Sequence, residues 1–384
     1  NPPTVEDLKQ DFQEAKNSHD AHTTDIDKWL DNLAGTGTAA VKCKKGRSKI
    51  VPKLIRKQAE WRYASLSEPF LSTDEVFNID PVTYEDKAPA VQNSLVLNNQ
   101  FNTKINKVAF IDEYVRTAVD EGTVIVRVGW DFEEEEQEVE VPDYAMVPVP
   151  ADPNLPPEQQ ATQMQQIQIG SHMETQMVTI KNQPTLYVCD YNNVVIDPTC
   201  EGDLKKASFI IYSFETSLSE LKKDGKYKNL EKIQFESTGS ILSEPDHENK
   251  DDSDFTFKDK PRKKFVAYEY WGYWDIDGSG IVQPIVATYV GNTLIRLEEN
   301  PFPDGELPFV AIPYLPVRKS IYGEPDGSLL EDNQKVVGAV TRGMIDIMGR
   351  SANGQMGYRK DALDLTNKRR FERGEDYEYN TTVD

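Results

Sequence analysis

The sequence predicts an α+β fold, on three observations. Helical apolar stripes fill the first 121 residues, strand-like alternation dominates from 123 to 299, and one long amphipathic stripe returns at 328–350. With 384 residues the chain can hold two or three modest domains.

Residues 1–40 carry helical stripes at Val5, Leu8, Phe12 and Ala15 and at Ile26, Trp29, Leu30 and Leu33, predicting two short helices that end near Gly35. From Lys42 to Arg62 the charge inverts, with nine basic residues against Glu60 alone. Ile50, Leu54, Ile55, Trp61, Ala64 and Leu66 make this stretch an expected amphipathic helix, with Pro52 in its first turn. Its basic centre is Lys49, Lys53, Arg56 and Lys57. Two readings fit: a docking face for an acidic partner or nucleic acid, and the commoner solvated face that balances an acidic neighbour.

Helices are expected at 86–101, with Val91, Leu95 and Phe101 inward, and at 106–121, with Ile111, Tyr114, Val115 and Ala118 inward and Gly122 as C-cap. Alternating Val124, Val126, Val128 and Trp130 then read as a strand. Glu133 to Glu136 form a carboxylate run whose side chains alternate faces, so a solvated strand end explains it better than a metal site. Residues 150–183, rich in proline and glutamine, read as an insertion or flexible loop. Strands resume at 184–198 and 207–215 with a turn at Asp197-Pro198. Ser217 and Glu220 then give a capping box for a short helix ended by Gly225. Residues 237–260 are polar and acidic, an expected mobile loop.

Two strands, 265–274 and 281–290, flank the turn DIDGSG. Asp275, Asp277, Ser279 and Gly280 match the first half of a calcium-binding EF-hand loop, but Pro284 and Val286 occupy the tenth and twelfth positions and both flanks are strands. A hairpin turn is the simpler reading; a calcium-dependent module or metal-dependent hydrolase using Asp275 and Asp277 is the rival. A strand at 293–299 and a proline-braced loop at 301–316 follow. Ser328 and Glu331 then open a long helix to Arg350, with Leu329, Val336, Val337, Val340, Met344, Ile347 and Met348 as its apolar stripe. It carries Gly338, Gly343 and Gly349, each costing about 1 kcal/mol against alanine, so close backbone approach or a bend is expected to offset them.

Hydrophobic residues make up 38% and charged residues 28%, and mean hydropathy is -0.61, which predicts a thin core or a large exposed surface. No apolar run reaches the roughly 20 residues of a membrane span, and no signal peptide is visible. Cys43, Cys189 and Cys200 are too scattered for a disulfide framework or a zinc site and point to a reducing, cytoplasmic assembly environment. A formal charge of -22 argues against tight general DNA binding but not against DNA passing nearby without sticking, since a like-charged wall repels phosphates. No nucleophile–base pair or phosphate loop appears, and His19, His22, His172 and His247 lie in segments poorly suited to precise catalysis. Neither enzyme activity nor a cofactor is predicted. Asn1 is not an initiator methionine and the chain stops in a polar stretch, so a portion of a longer polypeptide is expected.

The segments KLIRKQAEWRYASLSEPFL, FIDEYVRTAVDEGTVIVRVGW, YNNVVIDPTCEGDLKKASFIIYSFETSLSELKK and LPFVAIPYLPVRKSIYGEPDGSLLEDNQKVVGAVTRGMID, in that order, resemble the portal proteins of tailed bacteriophages, particularly short-tailed ones. The resemblance implies a portal-type fold and a homo-oligomeric ring, usually of twelve copies, at one capsid vertex of the virion. Through it the genome is packaged and ejected. It implies an N-terminal arm (1–40), a mixed helix and strand wing (41–320), a first stem helix lining the channel (321–350) and the start of a clip (351–384). Implied partners are terminase, a tail adaptor, capsid and scaffolding proteins, and double-stranded DNA passing without sequence-specific binding, with no membrane. Expected stem packing residues are Gly338, Arg342, Gly343 and Asp346. Expected clip docking residues are Arg359, Lys360, Lys368, Arg369, Arg370 and Arg373. The returning stem helix, channel loop and crown of the family are not in the sequence. Another head-to-tail adaptor is the nearer alternative.

Overall fold

The computed structural model describes residues 2–44, 46–149, 163–233, 259, 261–352, 363–373 and 376–378. They fall into two compact units, Asn1–Asp27 with Ala59–Asp326, and Lys28–Gln58 with Gly327–Asp384. The expected α+β class is what the chain adopts, with helices concentrated before 121 and after 326 and strands between.

Helix α1 (Val5–Ala34) is one helix of 30 residues where two short ones were expected. Thr4 and Asp7 cap it reciprocally: the Thr4 N–H donates to Asp7 Oδ2 (2.9 Å) and the Asp7 N–H to Thr4 Oγ1 (3.3 Å). No glycine or proline interrupts it. Its buried stripe of Val5, Leu8, Phe12 and Ala15 continues in phase through His19 and His22 to Ile26. Histidines read as polar concealed that continuity.

Helix α2 (Leu54–Leu71) begins inside the basic stretch and after Pro52, which was expected in its first turn: Pro52 has no N–H and disfavours helical geometry at Val51. Ile55, Ala59 and Tyr63 are its buried stripe, while Trp61 and Ala64 are exposed. In α3 (Lys87–Thr103) the inward residues are Ala90, Asn98 and Phe101; Val91 and Leu95 are exposed, contrary to expectation. Asn98 takes the inward position because its side chain accepts from the N–H groups of Val76 and Phe77 and donates to the Phe77 carbonyl. Helix α4 (Lys107–Glu121) starts at the Asn106 cap and ends at Gly122, left-handed at φ 81°. A Cβ there would lie 2.8 Å from the backbone of Gly323 and Glu324, so only glycine fits.

Strand β1 (Thr123–Val149) pairs antiparallel with β2 (Gln163–Cys189), from Ile125 opposite Cys189 to Val149 opposite Gln163. Thus 163–183, expected as an insertion or flexible loop, is strand. The alternation that fixes it lies across the ribbon rather than along one segment. Strands β3 (Val194–Ile196) and β4 (Phe209–Ser217) precede α5 (Leu218–Asp224), which has the full expected Ser217–Glu220 capping box and the Gly225 C-cap. Strands β5 (Lys264–Trp274), β6 (Gln283–Val290) and β7 (Thr293–Glu299) complete an antiparallel sheet in the order β3-β4-β5-β6-β7. The expected loop 301–316 holds β8 (Phe309–Pro313), paired with Thr123–Arg127 of β1, and β9 (Leu315–Pro316), paired with β10 (Gly323–Glu324). Of the expected loop 237–260, all but Asp259 lies outside the described residues.

Strand β5 is covered on both faces. Val266, Tyr268 and Tyr270 meet Val5, Leu8, Phe12 and Ala15 of α1, and Trp271 packs with Ile125, Cys189, Val286 and Phe309 on the other side. Inside that second layer Glu269 is 2% exposed, held by Arg127 Nη2 at 2.6 Å and by the Trp271 indole N–H, with the Arg127 guanidinium over the Tyr212 ring.

Candidate assembly surfaces

Helix α6 (Asp326–Ala352) is the longest element of its unit, 27 residues and roughly 40 Å at 1.5 Å per residue. It starts two residues before the expected Ser328 cap. Ser328 lies in the first turn, and Asp326 supplies the negative charge favoured there. Glu331 faces Lys28 Nζ at 3.1 Å and also Lys335. Burial pushes its carboxyl up, but the two ammonium groups outweigh that and hold it below its ordinary range.

From Glu331 a polar stripe runs down the helix at spacings of three and four and meets the chain's own 47–55 segment. Gln334 accepts from the Ile55 N–H (3.0 Å) and donates to the Asn32 carbonyl (2.8 Å). A Cβ on Gly338 would lie 3.1 Å from Pro52 Cδ, so the missing side chain lets Pro52 seat on the helix. Arg342 Nη1 donates to the Ile50 carbonyl (3.0 Å). Asp346 accepts from the Ser48 N–H (2.9 Å) and lies 3.3 Å from Arg47 Nη1. The Ser48 amide, then Arg47, hold the Asp346 carboxyl below its usual range. Three of the four expected stem residues, Gly338, Arg342 and Asp346, therefore share one face. Gly343, like Gly349, has open space where a Cβ would be. The residues that meet this face, Ser48, Ile50 and Pro52, were not foreseen, although the stripe 331-334-338-342-346 carries the helical spacing that would have flagged it.

The apolar stripe points the other way. Leu329, Val336, Val337, Val340, Met344, Ile347 and Met348 are all exposed, from 42% at Val337 to 68% at Met348. A helix with its polar side clasped by its own chain and a long apolar side in solvent presents that side for a partner.

Lys49, Lys53, Arg56 and Lys57 are exposed beside this clasp, and Lys49, Lys53 and Lys57 have no ion pair among the described residues. Lys368, Arg369 and Arg370 are exposed on α7 (Leu365–Arg373), which Arg373 closes; Arg359 and Lys360 lie outside the described residues.

The turn at 275–280 is held by hydrogen bonds from its own backbone to its aspartates. Asp275 accepts from the N–H groups of Gly278 (2.8 Å) and Gly280 (2.9 Å), and Asp277 from that of Ser279 (3.1 Å). His19 and His22 face the sheet unit: His19 Nε2 is 3.2 Å from the Asn192 carbonyl and His22 stacks on Tyr322 at 3.8 Å. Burial pushes both rings down, His22 to about 4. His172 sits on the ribbon 2.8 Å from Asp143, and His247 is outside the described residues. An open cavity of about 600 Å³ is lined by Leu204, Tyr273, Phe302, Leu307, Phe309 and Val310. Among the described residues no three His, Cys, Asp or Glu side chains converge as a metal site, and no helix is long and apolar enough to cross a membrane.

A strand-rich unit joined in sequence to a long helix with an uncovered apolar side defines a structural assembly protein. The sequence model of the phage SU10 portal protein family matches residues 4–384, and the chain belongs to that family. It is a structural portal protein of a tailed-phage virion, a capsid component of the head-to-tail connection.

Proposed function

We propose that copies of this chain close into a ring of about twelve at one capsid vertex, the channel through which the genome is packaged and ejected. The observation that carries the reading is the exposed apolar side of α6, which a neighbouring copy's stem helix would cover. In this reading 1–40 is an arm and 41–320 the wing, with insertions at 150–183 and 237–260. Residues 321–350 form the first stem helix and 351–384 begin the clip. Gly338, Arg342 and Asp346 hold the 47–55 segment as a strap on the stem. Gly343 leaves room for the neighbouring stave. The -22 charge, multiplied around the ring, keeps DNA mobile in the channel. Lys368, Arg369 and Arg370, with Arg359, Lys360 and Arg373, offer the basic clip face on which terminase and later a tail adaptor dock. Capsid and scaffolding proteins meet the wing, and assembly takes place in the host cytoplasm.

Native mass spectrometry of the purified chain tests this. A closed ring of about twelve 43.6 kDa copies is expected, and monomer after V340D/M344D. A wild-type chain that stays monomeric at all concentrations rejects the reading.

A further inference from the structure

The β1–β2 ribbon is more exposed than a ribbon of its length can sustain alone. Strand β8 flanks β1 only from Thr123 to Arg127. Beyond that the described residues place no third strand on it out to Val149, a span of roughly 70 Å at about 3.3 Å per residue. Two-stranded hairpins are marginal in water, so a ribbon of this length needs something laid along it.

Its register states what kind of surface waits to be covered. Glu134, Glu136, Glu138 and Glu140 project from one face at about 7 Å intervals. Opposite them stand Thr179, Met177, Thr175 and Met173, with both methionines exposed. The nearby cations are committed elsewhere: Lys181 and Lys223 both pair with Glu133, on the opposite face. The row of four has no ion pair among the described residues, and like charges side by side on one face repel. A cover for this face must therefore bring several cations together with aliphatic surface for Met173 and Met177. Lysines on an extended segment do both, since their stems lie on apolar groups while their ammonium ends reach carboxylates.

The chain carries such lysines on the stretch that leads into the first turn of α2. Lys42, Lys44, Lys49, Lys53 and Lys57 are exposed and have no ion pair among the described residues, and Ile50 and Leu54 between them are exposed as well. We infer that the Glu134–Glu140 face of the ribbon of one copy seats on the basic 42–57 segment of a second copy. The inference rests on the ring reading and assigns it a contact: different patches on each copy, hence a head-to-tail interface of the kind that closes into rings. It gives the charge inversion at 42–57 and the acid run at 133–140 a single cause. Because the pairs are solvent-accessible, the contact weakens as salt rises.

Charge exchange tests it. Assembly is followed by sedimentation velocity against protein concentration at low and high salt. The set is wild type, E134K/E136K/E138K/E140K, K49E/K53E/K57E, and the two combined. Each single set is expected to raise the concentration for half-assembly at least tenfold. The combined set, with the charges exchanged, is expected to return it to within about threefold of wild type. Should the reversed ribbon fail to fold by circular dichroism, the glutamine set E134Q/E136Q/E138Q/E140Q replaces it and is expected to weaken assembly in the same direction. Wild-type assembly by either single set, or no recovery in the combined set, overturns the inference, including the case in which the ribbon serves some other basic partner. A wild type that never assembles rejects the ring reading instead.

Discussion

The five-stranded sheet and helix α6 place their apolar residues on opposite sides of the same problem. In the sheet, Val266, Tyr270 and Ile285 are closed off by α1, Phe265 by Leu221 of α5 with Val290 and Ile295, and the buried carboxylate of Glu269 has Arg127 beside it. In α6 the buried residues are Gly327, Glu331, Gln334 and Gly338, and the aliphatic and methionine side chains are outside. The sheet completes itself within one chain. The helix makes sense only with something against its exposed side, and hydrogen bonds to residues 28–55, rather than apolar contact, fix which side that is.

The sharpest way to break this contrast is a pair of truncations. Phe265→Ala should cost the isolated subunit about 3–5 kcal/mol, read as a lower unfolding midpoint in denaturant. Met348→Ala should change it by no more than about 0.5 kcal/mol while weakening assembly. A comparable loss in both would mean that the α6 stripe is already covered within the chain. Next in size is the buried pair. Glu269→Ala leaves Arg127 without its carboxylate and should cost about 3–5 kcal/mol, with much of it recovered in the Arg127→Met double variant. An additive double-mutant cycle would refute the coupling.

The glycines sharpen the comparison within α6 itself. Gly338→Val must displace Pro52 and should destabilise by about 1–3 kcal/mol. Gly343→Ala meets open space and should stabilise the isolated subunit by about 1 kcal/mol. Equal effects at the two sites would show that the strap does not seat at Gly338. The smallest expected effect is on pH. His19 and His22 are held neutral by burial, with folded pKa values below the unfolded one of about 6.5. Their contribution is therefore complete above that pH and is lost as pH falls toward about 4. Denaturant unfolding at pH 7.5 and 5 should show the loss, and His22→Gln should flatten it. Glu331 and Asp346, held low, keep their contribution until pH falls below the ordinary carboxylate range.

Local signals were legible where neighbouring residues supply the physics. The Ser217–Glu220 box with Gly225 and the Gly122 C-cap could be read because each satisfies helix ends within a few residues. The rule that apolar residues face inward misplaced Val91, Leu95 and Trp61, and it would have turned α6 around, because it assumes that burial is decided inside one chain. Of the expected stem residues, Gly338, Arg342 and Asp346 meet the strap and Gly343 does not, a distinction that needed the position of Pro52. The ribbon was missed because β2 finds its pairing partners on β1 rather than in its own alternation.

The sequence by itself determined the α+β class, the long helix near 328–350, the charge inversion at 42–62 and the likeness to portal proteins, since these depend on composition, spacing and order. Only the tertiary structure decided that α6 shows its apolar side, that α1 is continuous through its histidines and that residues 163–183 are strand. The physical reason is distance along the chain: the groups that orient α6, Arg47, Ser48 and Ile50, lie almost 300 residues away from Asp346 and Arg342. No local pattern encodes which of two helix faces such a segment will reach.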